Sequence, residues 1–297
     1  MSNEWQRMRA KHGWTYHFAE WIEDNTAYLS VVFSWDLAAA YQRAVWLKQA
    51  GYNVKAGGPA VMLNPDYLSD IAKIGGDVNA LPHHNPQATF TSRGCIRQCP
   101  FCAVPRIEGE LVELDDWEPK PIVCDNNLLA CSQRHFDTVI ERLKTLHCVV
   151  DFNQGLDARL LTKYHAGRLA ELDGHIRLAW DWISMENTVM AALQKLAEAG
   201  IPRRNIGVYV LIGFQDTPED ALYRLQTLKD LDIYPYPMRY QPLDAIRYNQ
   251  YVGEHWTHRE LSRFHRYWST LRRFGGIPFA EYGQIPRTIS QMQPRLM

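Results

Sequence analysis

The chain has 297 residues, 46% of them hydrophobic and 22% charged, and a formal net charge of −1. This composition predicts a folded globular protein and excludes a disordered chain, while the overall charge gives no reason to expect a nucleic-acid partner. No stretch approaches the roughly 18 apolar residues of a membrane span, and the N-terminus lacks a secretory signal, so we expect a cytoplasmic protein with no membrane partner. In that reducing compartment the six cysteines are expected to be ligands or buried small side chains.

Residues 1–85 predict a small α/β region. A strand in AYLSVVFSW, from residue 27, is followed by an amphipathic helix in AAAYQRAVWLKQAG and a second strand in YNVKAGGPAV. Gly57 and Gly58 predict a turn in the last of these segments. A GGP turn alone is weak support for a nucleotide site, so we interpret it as a loop.

Six short apolar segments predict six successive parallel strands in residues 86–243. They are ATFTS, KPIVCD, CVVDF, HIRLAWD, NIGVYVLIGF and YPYPMRY, which start at residues 88, 120, 148, 175, 205 and 234. A spacing of roughly 30 residues corresponds to one strand and one crossover helix. Because six units fall short of the roughly 250 residues of a closed barrel, we predict a partial (β/α)6 TIM-like barrel. Ligands are expected at the carboxyl ends of its strands.

Two of the intervening helices have clear signals. Thr217 is a predicted N-cap, with Pro218 at the first helical position and acidic residues in the first turn. An apolar stripe from Val189 to Leu196 predicts a second helix, which Gly200 ends. We interpret Met190 on that stripe as a core residue.

The first predicted strand leads into GCIRQCPFC, residues 94–102, which holds three of the cysteines in a C-x3-C-x2-C spacing. Three thiolates can hold three irons of a 4Fe-4S cluster and leave the fourth iron open, and an open position on a metal permits chemistry. A Cys3His zinc site is the main alternative, with His83, His84 and His135 as the nearest histidines. The polar composition of the loop disfavours a merely structural trio of buried cysteines.

Cys95, Cys99 and Cys102, with the aromatic Phe101 just before the last of them, resemble the motif of the radical S-adenosylmethionine superfamily. The resemblance also covers the six-unit βα pattern, which is more than half of the chain. It implies that the three cysteines ligate a 4Fe-4S cluster and that the amine and carboxylate of S-adenosylmethionine bind the fourth iron. One electron from the cluster then breaks the bond between sulfur and C5′, and the resulting 5′-deoxyadenosyl radical takes a hydrogen atom from a substrate.

The same resemblance implies cofactor contacts after the second predicted strand. The sequence CDNN places Asp125, Asn126 and Asn127 where the family contacts the methionyl amine. Asp125 has an alternative interpretation as the cap of the helix that follows. Cys124 lies at the same edge, where a hydrogen-donating thiol or a ligand of an auxiliary cluster stays open.

Further cofactor contacts are implied at the ends of the other strands. Phe101 is expected to pack against adenine or the cluster, Asp181 to meet the ribose, and Ile212 in VLIGF to lie beside the adenine. The polar run DFNQGLDARLL predicts a ligand-facing rim after the third strand, and we assign Gln154 to the cofactor contacts there. Solvation is the alternative role for Asp181. Cys148 begins an apolar segment and is interpreted as core.

The resemblance also implies partners. A one-electron reductant of the flavodoxin or ferredoxin type would reduce the cluster, and the substrate is unidentified. The N-terminal region looks like a truncated form of the cobalamin-binding domain that precedes this barrel in one subgroup. It lacks the D-x-H-x-x-G string of that domain, so we expect no cobalamin.

Residues 244–297 predict a helical extension rich in arginine and aromatic residues. From Ile246 onward the chain has eight Arg against three Glu. We favour a terminal helix that packs on the barrel with solvated arginines, and the alternative is a face that binds phosphates and stacks bases. The members of the pattern are Arg259, Arg263, Arg266, Arg273, Trp256, Phe264, Tyr267, Trp268 and Phe274.

Three classes of protein are therefore compared. We favour a radical enzyme, for which an anionic or nucleotide-like substrate is one hypothesis. The alternatives are a nucleic-acid-binding protein with a structural iron-sulfur or zinc site, and an interaction module stabilised by zinc. The first predicts cleavage of S-adenosylmethionine, the second salt-dependent binding to nucleic acid, and the third a colourless metal-loaded protein.

Overall fold

A computed structural model describes residues 13–76, 79–271 and 276–283. The N-terminal part forms a four-stranded sheet in the order β1-β2-β3-β4, in which β1 and β2 are antiparallel and the other pairs are parallel. The predicted strand-helix-strand unit is confirmed. Strands β1 and β4 were not predicted, because β1 is partly exposed on both faces and β4 has only two residues. The elements are strands β1 (Phe18–Glu23), β2 (Thr26–Val31), β3 (Asn53–Gly57) and β4 (Lys73–Ile74), with helices α1 (Leu37–Gln49) and α2 (Pro59–Leu63).

A six-stranded sheet follows in the order β5-β8-β9-β10-β11-β12, and all of its pairs are parallel. The six predicted strands are thus confirmed, in sequential order. The fold is α/β, and no closed barrel forms among the described residues, since β5 and β12 are the two edges of the sheet. The strands are β5 (Ala88–Thr89), β8 (Ile122–Val123), β9 (Val150–Phe152), β10 (Gly174–Ala179), β11 (Ile206–Ile212) and β12 (Tyr234–Arg239), and the hairpin between the first two is β6 (Ser92–Arg93) and β7 (Val112–Glu113).

Helices connect these strands, and both predicted helices are confirmed. The Thr217 hydroxyl accepts a hydrogen bond from the Asp220 backbone N–H at 3.2 Å, and the Asp220 carboxylate accepts one from the Thr217 N–H at 3.4 Å. Gly200 has a φ of +85°, which ends its helix in the left-handed region. The helices are α3 (Leu81–His84), α4 (Val104–Ile107), α5 (Gln133–Lys144), α6 (Lys163–Leu169), α7 (Glu186–Glu198), α8 (Pro218–Asp230) and α9 (His258–Ser269).

Alternation along the strands separates the two faces of the six-stranded sheet. The even-numbered residues of β11, from Ile206 to Ile212, are buried with the helices in the main hydrophobic core. Tyr209 lies on the opposite face and is paired in register with Tyr236. On that face the Arg177 guanidinium binds the Asp151 carboxylate and lies 5.9 Å from the Tyr236 ring. One face of the sheet therefore packs against the helices through apolar side chains, and the other face carries polar and aromatic side chains.

The N-terminal part and the six-stranded part have separate hydrophobic clusters. They touch where the Ser34 hydroxyl donates to the Ala245 carbonyl oxygen at 2.5 Å and the Trp35 ring lies 4.8 Å from the Tyr248 ring. Helix α9 belongs to the larger cluster. The boundaries predicted at residues 85 and 243 stay predictions. None of the helices within the described ranges has the length and apolar character needed to cross a membrane.

Candidate functional site

The cysteine loop begins just beyond β6, where the backbone passes very close to a neighbouring segment. Gly94 has a φ of +72°, and a Cβ atom built on it would lie 1.9 Å from the Glu110 carbonyl oxygen. The Cys95 N–H donates to the Gly109 carbonyl oxygen at 3.2 Å. A side chain at position 94 would therefore push the loop away from residues 109 and 110, so glycine is required.

Glu108 fixes the start of this loop, a role that the sequence did not reveal. Its carboxylate accepts hydrogen bonds from the Gly94 N–H at 2.9 Å, from Asn126 Nδ2 at 2.6 Å and from Arg93 Nε at 3.0 Å. The carboxylate thus joins the cysteine loop to the loop after β8. Its position in an acidic, weakly patterned stretch, without a motif of its own, explains why it was missed.

A polar donor lies beside each of the three thiols. Cys95 Sγ accepts hydrogen bonds from Asn127 Nδ2 at 3.5 Å and from the Arg97 N–H at 3.4 Å. The Arg159 guanidinium is close enough to Cys99, and the backbone N–H of residue 104 close enough to Cys102, to lower the pKa of each thiol. Burial raises the pKa of Cys99 and of Cys102, and these donors lower it by less.

These donors fit a site for thiolates bound to iron. A thiolate is the form of cysteine that ligates metals, and a polar donor to each sulfur stabilises that form. Burial has the opposite effect, and the charge of a bound iron would counter it. The Asn127 carboxamide is 3% exposed, and its Oδ1 has no hydrogen-bond partner in the described structure. This oxygen is therefore an acceptor beside Cys95 that a bound amine would satisfy.

The described residues do not form a site for a single metal ion. No group of three or more His, Cys, Asp or Glu side chains within the described ranges is arranged to hold one ion. A cubane cluster differs from zinc because each thiolate binds a different iron, so its three sulfurs need not meet at one point. The histidines of the zinc alternative have other contacts: His84 bonds Ser30 at 2.9 Å, His135 bonds Thr91 at 3.2 Å, and the His83 ring stacks on Trp21.

An ion-pair cluster clamps the cysteine loop to the loop after β9. The Asp157 carboxylate accepts from Arg97 Nε at 2.9 Å, and from Arg159 Nε at 2.6 Å and Nη2 at 3.1 Å. Burial alone would raise the pKa of Asp157, but the hydrogen bonds from Arg159 and Arg97 outweigh it and lower the pKa. Arg97 lies between Cys95 and Cys99 in the sequence, so its ion pair with Asp157 fixes the part of the loop that carries these two thiols.

Asp125 holds the strand segment that precedes the cysteine loop. Its carboxylate accepts from the Thr91 N–H at 2.6 Å, the Thr91 hydroxyl at 2.5 Å and the Ser92 hydroxyl at 2.8 Å. Burial raises its pKa, although these bonds lower it. A carboxylate has about four lone-pair sites, so little capacity remains for the predicted amine contact. The alternative prediction of a helix cap is wrong, because Ser132 caps α5.

Aromatic rings surround the last part of the loop. The Phe101 ring lies 5.8 Å from Trp182 and 5.7 Å from Phe214, and Phe214 lies 4.6 Å from Tyr240. These rings come from the ends of β10, β11 and β12 and from the cysteine loop. Together they form an aromatic wall (Phe101, Trp182, Phe214 and Tyr240) on which a planar ring can stack.

Asp181 lies beside this wall, at the end of β10. Burial raises its pKa to about 6, while Arg224 and Arg159 lower it. Asp181 also lies close enough to Cys99 and Cys102 to influence the pKa of both thiols. Its position agrees with a ligand contact, and the ribose contact stays a prediction.

The other two predicted cofactor contacts, Ile212 and Gln154, lie in different surroundings from each other. The Ile212 side chain is fully buried in the main core, and its place beside the adenine stays a prediction. Only the odd-numbered residues of β11 share the face of Tyr209. Gln154 is exposed in the loop after β9, and its predicted contact remains untested. Phe214, two residues after Ile212, is the residue of that segment that meets Phe101.

The remaining cysteines do not join the loop. Cys124 is buried, and burial raises its pKa to about 12. Cys131 is partly buried, and burial raises its pKa to about 11. The prediction that Cys148 is core is wrong, because it is exposed and β9 begins only at Val150.

Helix α9 uses its aromatic face for packing. Trp256, Phe264, Tyr267 and Trp268 are buried in the main core. Arg263 donates to backbone carbonyl oxygens of residues 279, 280 and 282, whereas Arg259 and Arg266 are exposed. This packing agrees with the favoured interpretation of the extension. The two remaining members of the pattern, Arg273 and Phe274, lie outside the described residues.

Comparison with known proteins gives no family for this chain. No protein-family model matches it, and no curated protein matches it with significant similarity.

Proposed function

We propose that the chain is a radical S-adenosylmethionine enzyme built on a partial (β/α)6 barrel, in which Cys95, Cys99 and Cys102 ligate a 4Fe-4S cluster. One observation carries the proposal. The three thiols of the C-x3-C-x2-C loop stand at the carboxyl end of a parallel sheet, where Asn127 donates a hydrogen bond to Cys95 and polar groups lie beside Cys99 and Cys102. The end of a parallel sheet is where such folds bind ligands. When bound, the cluster and S-adenosylmethionine supply a one-electron cleavage that yields a 5′-deoxyadenosyl radical.

The residues of the chain have binding and orienting tasks in this proposal. Asn127 Oδ1 accepts a hydrogen bond from the methionyl amine, which gives the buried oxygen a partner. Asp181 accepts hydrogen bonds from ribose hydroxyls, for which its half-buried carboxylate has free acceptor sites. The aromatic wall stacks on the adenine and keeps water from the reacting atoms. Asp125 and Asn126 orient the surrounding loops through Thr91 and Glu108 rather than as main contacts.

An anionic or nucleotide-like substrate requires a cation that is not already neutralised. Arg106 is exposed, lies close enough to Tyr240 to lower its pKa, and has no carboxylate partner within the described ranges. We therefore propose that it meets the anionic part of a substrate. Five other arginines around the site each pair with a carboxylate, whereas Arg239 is buried and donates to backbone carbonyl oxygens. The five are Arg93, Arg97, Arg159, Arg177 and Arg224.

The partner in this proposal is a one-electron reductant of the flavodoxin or ferredoxin type. Ile96 is 52% exposed, and Gln98 and Pro100 are exposed as well. The outer side of the cysteine loop is therefore accessible to a protein that delivers electrons to the cluster.

Anaerobic purification followed by product analysis tests the function. We expect equal amounts of iron and acid-labile sulfide, a brown colour, and formation of 5′-deoxyadenosine from S-adenosylmethionine after reduction with dithionite. Single Cys→Ala variants at 95, 99 and 102 should lose both iron and product, whereas Cys148→Ala should keep both because that thiol is exposed and outside the loop. A parent protein that binds zinc instead of iron, or that loads iron without forming product, would contradict the proposal.

A further inference from the structure

We infer that Asn127 and Arg159 are positioning residues that raise the reduction potential of the cluster, Asn127 through its hydrogen bond to the Cys95 sulfur and Arg159 through its positive charge beside Cys99. The inference rests on the proposed function, because it concerns a cluster bound by these thiolates. It goes further by assigning an electrostatic task to two side chains that are not themselves iron ligands.

Asn127 is well placed for this task by its burial. The residue lies in the loop after β8, is 3% exposed, and directs Nδ2 to Cys95 Sγ at 3.5 Å. The Asn127 carbonyl oxygen accepts from the Ala130 N–H at 3.0 Å, in the helical turn that follows. This bond fixes the backbone of Asn127. Because the Asn127 carboxamide is buried, water cannot replace the Cys95 sulfur as its hydrogen-bond partner. A hydrogen bond in such a setting is electrostatically stronger than one in water.

Arg159 is held by its ion pair with Asp157. Arg159 Nε donates to Asp157 Oδ1 at 2.6 Å, and Arg159 Nη2 donates to Asp157 Oδ2 at 3.1 Å. This two-point contact fixes the plane of the guanidinium, and its positive charge lies close enough to Cys99 to lower the pKa of that thiol. The same Asp157 carboxylate binds Arg97 within the cysteine loop at 2.9 Å. The donor and the thiol are therefore anchored to one carboxylate.

The direction of the effect follows from the sign of the charges. Reduction adds one negative charge to the cluster and its thiolates. An N–H dipole or a guanidinium directed at a ligand sulfur favours the more negative state, so it raises the potential. The two donors act on different sulfurs, and their effects are expected to add. Loss of either donor should make the cluster harder to reduce.

The test is a redox titration of the reconstituted full-length protein, followed by electron paramagnetic resonance. Asn127→Leu and Arg159→Leu should each shift the midpoint potential to a more negative value, and the double variant should shift it further. Gln98→Ala is the matched control, because Gln98 is exposed in the same loop and should leave the potential unchanged. In the Asn127→Leu variant, we also expect loss of one exchangeable proton coupling to the reduced cluster. Iron and sulfide content must equal that of the parent for each comparison.

Midpoint potentials equal to the parent value in both leucine variants, at full iron content, would overturn the inference. A leucine variant that holds no iron is replaced by Asn127→Ser, whose side chain is too short to reach the sulfur, or by Arg159→Gln, which removes the charge but keeps a polar side chain. An unchanged potential in these variants overturns the inference as well. If the parent binds no iron, the proposed function fails; if it loads iron normally and only the shifts are absent, this inference alone fails.

Discussion

Replacement of Asp181 by asparagine is expected to stabilise the metal-free chain at neutral pH. Burial raises the pKa of Asp181 to about 6, and Arg224 and Arg159 offset that only in part. The described structure gives its carboxylate no hydrogen-bond donor. The charged carboxylate is therefore less stable in the folded chain than in the unfolded chain, where water surrounds it.

The size and sign of the effect follow from the two pKa values. The ordinary pKa is 3.8, so a folded value near 6 corresponds to at most about 3 kcal/mol of unfolding free energy. Between these values the folded chain still holds a proton that the unfolded chain has lost, so stability falls as pH rises. About one pH unit above 6 the loss is complete and constant. At pH 4 the folded carboxyl is neutral and the unfolded one is only partly ionised, so the variant should differ little from the parent.

Urea unfolding of the full-length, metal-free chain at pH 4 and pH 8 measures this difference. Asp157→Asn is the matched control, because that carboxylate lies in the neighbouring loop but binds Arg97 and Arg159. Its pKa is lowered, so its charge stabilises the fold, and the substitution should destabilise the chain at pH 8 by about 1–3 kcal/mol. The two substitutions are thus expected to have opposite signs.

The reasoning is refuted if Asp181→Asn lowers the unfolding free energy at pH 8. It is also refuted if the effect of that substitution is the same at pH 4 and pH 8, since burial of a charge cannot act on a neutral group. Either result would mean that Asp181 has a partner for its charge.

Three further substitutions test how the protein holds the cysteine loop and the neighbouring core. Gly94→Ala should abolish iron loading, because the new Cβ atom would lie 1.9 Å from a backbone oxygen. Gly109→Ala should retain iron, because Gly109 has a similar φ of +75° but open space around it, and iron analysis measures both variants. Arg224→Met should lower the unfolding free energy by about 3–5 kcal/mol, because it leaves the buried Asp216 carboxylate, 2.6 Å away, without its ion pair. Thr217→Ala should cost about 1 kcal/mol through loss of the α8 cap, and urea unfolding measures the last two.

The order of the six-stranded sheet could be predicted because its signals are local. Each strand is an apolar segment, and the spacing of roughly 30 residues leaves room for one helix between neighbours. The Thr217 cap and the Gly200 stop are also local, since each depends on one residue and its next turn. The gathering of the three thiols in one loop follows from their spacing alone. None of these features requires knowledge of distant contacts.

The sequence is least informative where the outcome depends on distant residues. The Ile212 side chain lies in the core because the helices cover the even-numbered side of β11, which a single strand cannot reveal. Cys148 is exposed because the strand begins two residues later than its apolar pattern suggests. Glu108 meets Gly94 and Asn126 across 14 and 18 positions of sequence. Such contacts have no motif, so only the folded chain identifies them.

The carboxylates of the site fall into two groups with different hydrogen-bond partners. Glu108, Asp125 and Asp157 have their hydrogen-bonding capacity largely filled by neighbouring loops, and they fix the cysteine loop before any ligand binds. The Asn127 oxygen is buried without a partner, and the half-buried Asp181 carboxylate accepts no hydrogen bond from the described residues. Buried polar groups of this kind lower stability unless a ligand completes them. A rigid frame that leaves two acceptors unsatisfied is the arrangement expected of a binding site, since the free energy lost in folding is recovered when a donor-rich ligand enters.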